Sequence, residues 1–420
     1  MRPLRFCMLT TFYPPFNFGG DGIGVQRLSR ALVRRGYEVT VVHDVDAFAS
    51  LSDEAPPDAA TVADGVEVVA LRSGLGVVSP LLVQQLGRPV LNAPRIARLL
   101  AERRFDILHF NNVSLIGGPG LLGYGGDTVK VYEAHEHWLV CPSHVLWRHG
   151  REPCVERQCL RCVLRHKRPP QAWRYTGHLE RNLDHIDLFI AKSEFSRRKH
   201  EEFGFTRAMD VLPYFLPDSP APVVQQDRPQ ERPYFLFVGR LERIKGLDDV
   251  IPVFARYGAA DLLIAGTGEY EAELRRQAAG IAGVRFLGRL PADELSKYYQ
   301  HAEALIVPSV CFETFGVILI EAFRQRTPVL ARRIGPFPEI VEQSGGGLLF
   351  GTADELERGM ARMQNDPAER DRFAAAGQQA FDRLWSESAV LPRYLELVGQ
   401  AAERRGRQDL LERLNQRSAA

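Results

Sequence analysis

Apolar residues along the chain fall into short runs, separated by longer stretches in which they recur at helical spacing. In the first half the runs cover residues 4–9, 39–42, 66–71 and 106–110, a segment from Thr128 that ends at His135-Glu136-His137, and residues 188–191. Runs that short, closed by polar or glycine-bearing segments, predict buried strands. Helical periodicity between them predicts helices at about 25–35, 94–103 and 193–203. The second half repeats the theme, with runs at 234–238, 262–265, 284–287 and 304–307, a helix from Gly316, and an amphipathic helical pattern over 354–404. Strand alternating with helix in both halves predicts α/β architecture, with doubly wound parallel sheets and ligand sites beyond the carboxyl ends of the strands. Pro213, Pro217, Pro220 and Pro222, followed by the polar run QQDRPQERP, divide the halves. The predicted organisation is a first domain at 1–212, a linker at 213–232, a second domain at 233–385, and a C-terminal helix with a charged tail at 386–420. The last part, from Arg405, is expected to fray.

Composition narrows the class. The 420 residues suffice for two domains with separate cores, and 45% hydrophobic and 25% charged residues are ordinary for a globular protein. A formal net charge of +1 gives no electrostatic case for nucleic acid as a partner. The opening MRPLRFCMLTTF has too short an apolar run for a secretory signal, and no stretch nears the roughly 20 apolar residues that span a bilayer. The expectation is therefore a cytoplasmic protein, with peripheral contact at the inner face of a membrane left open. Six cysteines in a chain this long do not suggest a secreted disulfide scaffold.

Candidate chemistry sits at strand ends. After the first strand, TTFYPPFNFGGDGIG places Gly19, Gly20 and Gly22 before a helix, where phosphate or sugar can approach the backbone. The spacing lacks the third glycine of the dinucleotide fingerprint, which disfavours a nicotinamide enzyme. After the strand at 234–238 come Gly239, Arg240 and Lys245, a bidentate donor and a point charge beside a flexible backbone position. Gly266 and Gly288-Arg289 close the next two strands. In the stretch 307–329, VPSVCFETFGVILIEAFRQRTPV, Glu313 lies in a loop just before Thr314, Phe315 and Gly316, and Glu321 falls in the first turns of the helix that follows. Two carboxylates flanking a helix N-terminus suit a ligand with both hydroxyls and phosphates.

The frame PS…E-x-FG…EA…PV around Glu313 and Glu321, together with GR-L-x(3)-KG at Gly239–Gly246, resembles the donor site of the retaining glycosyltransferases of family four, which have the GT-B fold. The resemblance implies two Rossmann-like domains facing a central cleft, with a C-terminal helix crossing back to the first. It implies transfer of a monosaccharide from a nucleotide-diphospho-sugar, UDP- or GDP-linked, to a hydroxyl acceptor such as a glycan, a lipid-linked saccharide or a small molecule. His135, Arg240, Lys245 and Glu313 take the catalytic roles. Gly19, Gly20, Gly22, Gly239, Gly266, Arg289, Thr314, Phe315, Gly316 and Glu321 bind the donor. No catalytic metal is expected, because protein cations neutralise the diphosphate. Two positions depart from the family pattern: Glu136 replaces an aspartate after His135, and Arg326 replaces a small residue before Thr-Pro-Val. A capping role for His135, an epimerase or phosphorylase of the same fold, and a non-catalytic nucleotide-sugar-binding protein remain alternatives.

A Cys-rich insert at about 139–168 stands apart. Cys141, Cys154, Cys159 and Cys162 end in a Cys-x2-Cys pair that suits a tetrahedral metal, making structural zinc one reading. His144, His149 and His166 could substitute as ligands, and four unlinked thiols, or a disulfide formed only on oxidation, are the other reading. A basic run follows, including Arg161, Arg165, Lys167, Arg168 and Arg174, with Trp173 and Tyr175 interleaved. It reads either as a solvated surface or as a seat for anionic lipid or a phosphate-bearing acceptor.

Overall fold

The computed structural model describes residues 2–52, 64–219 and 227–418. In the first half lie the strands β1 (Arg5–Leu9), β2 (Glu38–Asp44), β3 (Glu67–Leu71), β4 (Ile107–Phe110) and β5 (Val129–Ala134). A short hairpin, β6 (Trp147–Arg148) and β7 (Glu152–Pro153), comes next, then β8 (Leu188–Ala191) and β9 (Asp210–Val211). The hairpin apart, they form one sheet in the order β3-β2-β1-β4-β5-β8-β9, with every pairing parallel. In the second half, β10 (Tyr234–Val238), β11 (Asp261–Ala265), β12 (Val284–Gly288), β13 (Leu305–Val307), β14 (Val329–Arg332) and β15 (Gly347–Phe350) form a second parallel sheet, ordered β12-β11-β10-β13-β14-β15. Most of these strands are buried on both faces, which is why they read as continuous apolar runs. The arrangement is GT-B: two Rossmann-like sheets, each with helices on both faces.

Strand order fixes where a ligand can sit. Successive strands depart in opposite directions from β1/β4 in one sheet and from β10/β13 in the other, opening a crevice at the carboxyl ends. The glycine loop leaves β1 and Asn111-Asn112 leave β4. Gly239-Arg240 leave β10, and the Glu313 loop leaves β13. These four segments therefore emerge at the switch points, while His135 leaves the neighbouring strand β5.

Several boundaries differ from the sequence reading. The first helix spans Gly20–Arg34, so the glycine cluster forms its first turn instead of a preceding loop. Helices Val45–Ala49 and Val78–Leu86, both unforeseen, flank the mouth of the first sheet. Phe337–Ser344 is a further unforeseen helix, beginning inside the glycine- and proline-bearing segment IGPFPE at 334–339. The tail from Arg405 does not simply fray: Gln408–Ser418 is a helix, its Leu410 and Leu414 buried and Arg413 bound to Asp106 at 3.1 Å. Helix Glu387–Arg404 carries Val390, Leu391, Tyr394, Leu397 and Val398 into the first domain's core, against Val39, Val41, Val129, Val131 and Ile190. Pro220 and Pro222 of the linker fall outside the described residues.

Candidate functional site

The cleft between the sheets has a volume of about 1200 Å³. Ten of the fourteen predicted catalytic and donor-binding residues line it: Gly19, Gly20, His135, Gly239, Arg240, Lys245, Glu313, Thr314, Phe315 and Gly316. Gly22, Gly266, Arg289 and Glu321 do not.

Lys245 Nζ lies 2.6 Å from Glu313 Oε1, and Ser309 Oγ donates to the same oxygen at 2.9 Å. Burial opposes the ammonium charge, but Glu313, Cys311 and Glu242 together hold the Lys245 pKa above its ordinary value. Lys245 is therefore a fixed cation. Arg240 is more open and pairs with Glu242 at 3.0 Å. Gly316 caps helix Val317–Arg324 with no side-chain acceptor on the first turn, so free N–H groups of residues 316–318 stand at the cleft wall. A Cβ on Gly316 would come within 2.6 Å of Leu319 and 3.0 Å of Phe337, so glycine also lets this turn pack.

From the first domain, His135 follows β5 with both ring nitrogens engaged, Nδ1 2.5 Å from Tyr214 Oη and Nε2 2.9 Å from Asn111 Oδ1. Desolvation lowers its pKa to about 4, against the opposing pull of Asp21 and Glu136, so the ring is neutral near pH 7. Beneath it, Tyr394 Oη lies 3.0 Å from His109 Nδ1, His109 Nε2 lies 2.9 Å from Glu133, and Glu133 pairs with buried Lys192. Burial holds the His109 pKa well below its ordinary value, so the ring is neutral and its Nδ1 accepts from Tyr394.

The loop of residues 311–316 is held across the cleft by the first domain. Thr314 Oγ1 donates to the His135 carbonyl at 2.8 Å, Ser193 Oγ donates to the Thr314 carbonyl at 2.7 Å, and His137 Nε2 donates to the Phe312 carbonyl at 3.2 Å. Glu339 accepts from the backbone N–H groups of Glu194 and Phe195, each at 3.0 Å, at the start of helix Glu194–Glu202. Sequence reasoning did not single out Asn111, Asn112, Asp21, Ser193 or Glu339. Asn111 and Asn112 could have been found from their position after a predicted strand; Glu339 depends on a contact between domains.

The residues off the cleft have other partners. Glu321 faces Tyr299 at 3.3 Å and Arg27 at 3.4 Å, beside the cleft wall. Gly22 is packed beneath the loop, where a Cβ would meet Asn17 at 2.4 Å. Gly266 lies against the Gly239 carbonyl oxygen, which a Cβ would approach to 1.8 Å. Both glycines shape the strand ends.

All four cysteines of the insert are free thiols. Burial, with Cys141, Cys159 and Cys162 nearby, pushes Cys154 up to about 11. Among the described residues no three His, Cys, Asp or Glu side chains converge to hold a metal ion. The histidines have other contacts: His144 with Glu136, His149 with Gln158 and His166 with the Trp147 carbonyl.

Two family models match in succession, "Glycosyltransferase Family 4" over residues 18–216 and "Glycosyl transferases group 1" over residues 221–380. The chain belongs to the group 1, family 4 glycosyltransferases. This glycosyltransferase is 26% identical to glycogen synthase of Mycobacterium tuberculosis, covering 96% of both chains. It is 25% identical to the D-inositol 3-phosphate glycosyltransferase of Corynebacterium diphtheriae, over 93% of both. Sucrose-phosphate synthase of Thermosynechococcus elongatus has the same fold, with a TM-score of 0.70 at 21% identity over 94% of this chain and 98% of that one. So does Anabaena HepE, solved with UDP-glucose, with a TM-score of 0.65 at 17% identity over 94% and 100%. Among the described residues no helix of the glycosyltransferase is long and apolar enough to cross a membrane.

Proposed function

We propose that this glycosyltransferase moves a monosaccharide from a UDP- or GDP-linked donor to a hydroxyl acceptor with retention of anomeric configuration. The observation that carries the reading is the meeting, at the β10/β13 switch point, of Lys245, Glu313 and the helix turn at Gly316. The crystallised relative with UDP-glucose in its complex supports the donor class.

In this reading the diphosphate lies against Arg240, Lys245 and the N–H groups of residues 316–318, while Glu313 accepts from sugar hydroxyls. As the anomeric C–O bond lengthens, negative charge grows on the leaving phosphate, where fixed cations and oriented dipoles stabilise it most. The departing phosphate oxygen takes the acceptor's proton as the acceptor attacks from the same face. His135, neutral and held by Asn111 and Tyr214, offers an uncharged polar surface to the sugar. Charge neutralisation falls to Arg240 and Lys245.

A thermal-shift panel of UDP-, GDP-, ADP- and dTDP-sugars tests the donor: the true donor raises Tm with concentration because it binds the folded chain. NMR of the product reads the anomeric configuration; an inverted product overturns the retaining assignment. If no nucleotide-sugar shifts Tm, the donor assignment fails.

A further inference from the structure

On the first domain's side the cleft is lined by side chains that a nucleotide-sugar does not explain. Leu51, Val77 and Leu81 line it while remaining 60%, 52% and 51% exposed. Leu75 and Val78 continue the apolar strip onto the outer surface beside helix Val78–Leu86. Apolar side chains left in water at the mouth of a site mark a surface that an apolar ligand covers.

Arg168 lines the same cleft. Arg161, Arg165, Lys167 and Arg168 are exposed, and among the described residues no carboxylate pairs with them. Arg174, by contrast, is half-buried against Trp138 and Trp173 and donates to the Trp138 carbonyl, so it supports the fold. The basic run thus divides into one structural arginine and four exposed cations, of which Arg168 lines the cleft.

Resting on the transferase reading, we infer that the acceptor is an amphiphile, a saccharide or hydroxyl group joined through phosphate to a lipid chain. The chain lies along Leu51, Val77 and Leu81, and the phosphate meets Arg168. A lipid-linked phosphate fits better than a bare membrane surface because these residues line the same cleft as His135 and Glu313. It fits better than a sugar phosphate because three exposed aliphatic side chains give such a ligand nothing to bind.

The test measures binding of farnesyl phosphate, farnesol and inorganic phosphate to the full chain by calorimetry, alongside the nucleotide-sugar thermal shift. Farnesyl phosphate should bind at least roughly tenfold tighter than inorganic phosphate, a factor comparable to burying one or two aliphatic side chains. It should also bind roughly tenfold tighter than farnesol, through the charged contact of its phosphate with Arg168. Val77→Asp/Leu81→Asp should weaken it by roughly tenfold or more while leaving the donor's Tm shift unchanged. Arg168→Glu should remove most of the preference for farnesyl phosphate over farnesol. Equal affinity for inorganic phosphate, or unchanged binding in Val77→Asp/Leu81→Asp, overturns the inference. So does equally tight capture by phosphatidylglycerol vesicles that Val77→Asp/Leu81→Asp leaves intact, which would place the basic group on a membrane. A donor shift without farnesyl phosphate binding refutes this inference alone; loss of the donor shift refutes the transferase reading.

Discussion

Glu339 ties the two domains together at one point, and its removal has a calculable effect. Its carboxylate accepts from the N–H groups of Glu194 and Phe195, the first turn of a helix in the other domain, at 3.0 Å each. A charged acceptor at a helix N-terminus gains from both hydrogen bonding and the helix dipole. Glu339 is half-buried, so water recovers part of the loss when it is truncated, and we take about 2 kcal/mol as the net cost of Glu339→Ala to the closed arrangement. At about 1.4 kcal/mol per factor of ten, the ratio of closed to open forms falls about thirtyfold. The loop carrying Glu313 and Thr314 is held by the same closure, so kcat/KM with the donor falls with it. Small-angle scattering should show a larger radius of gyration for Glu339→Ala than for the parent, and donor saturation should restore part of the compaction. Glu339→Gln keeps a neutral acceptor and should recover about half of the lost free energy. Unchanged scattering together with unchanged kcat/KM in Glu339→Ala would refute a latch.

Other predictions are more local. Lys245→Ala should lower kcat by roughly 10²- to 10³-fold with Tm little changed, and near-normal turnover would remove Lys245 from the mechanism. Gly266→Ala should lower Tm by several degrees, since its Cβ would meet the Gly239 carbonyl oxygen at 1.8 Å, whereas Gly20→Ala, with nothing within 4 Å, should leave Tm unchanged and impair turnover. His43, His135 and His200 are each depressed to about 4 chiefly by burial, so the unfolded chain takes up protons first as pH drops below 6.5. Calorimetric stability should be flat in this contribution above about pH 7 and lose about 2 kcal/mol per histidine by pH 5; a gain on acidification would contradict their buried, neutral state.

The strands and their order of appearance were legible because strands covered on both faces must be apolar throughout, as in YFLFV at β10 and LIV at β13. The candidate site was legible wherever its residues sit immediately after such a strand: Gly239, Arg240, Lys245 and Glu313. Glu321 was harder to place. Its position within the helix read correctly, but the helix turns that side chain toward Tyr299 and Arg27, which no linear spacing conveys. Gly22 and Gly266 carry the same lesson, because their absent side chains make room for Asn17 and the Gly239 carbonyl. Contacts between domains left no local signature. Nothing in IGPFPE points to a helix N-terminus some 145 residues earlier in the chain, and nothing in the polar tail shows that Leu410 and Leu414 will be covered.

That tail has a consequence for biosynthesis. The first domain's core is finished by Leu391, Tyr394, Leu397, Leu410 and Leu414, which leave the ribosome after the whole second domain. An emerging first domain therefore presents an uncovered aliphatic face for most of translation, and the second domain can fold while the first still waits for its last two helices. Cells producing a version stopped after residue 385 should accumulate it with chaperones or in aggregates.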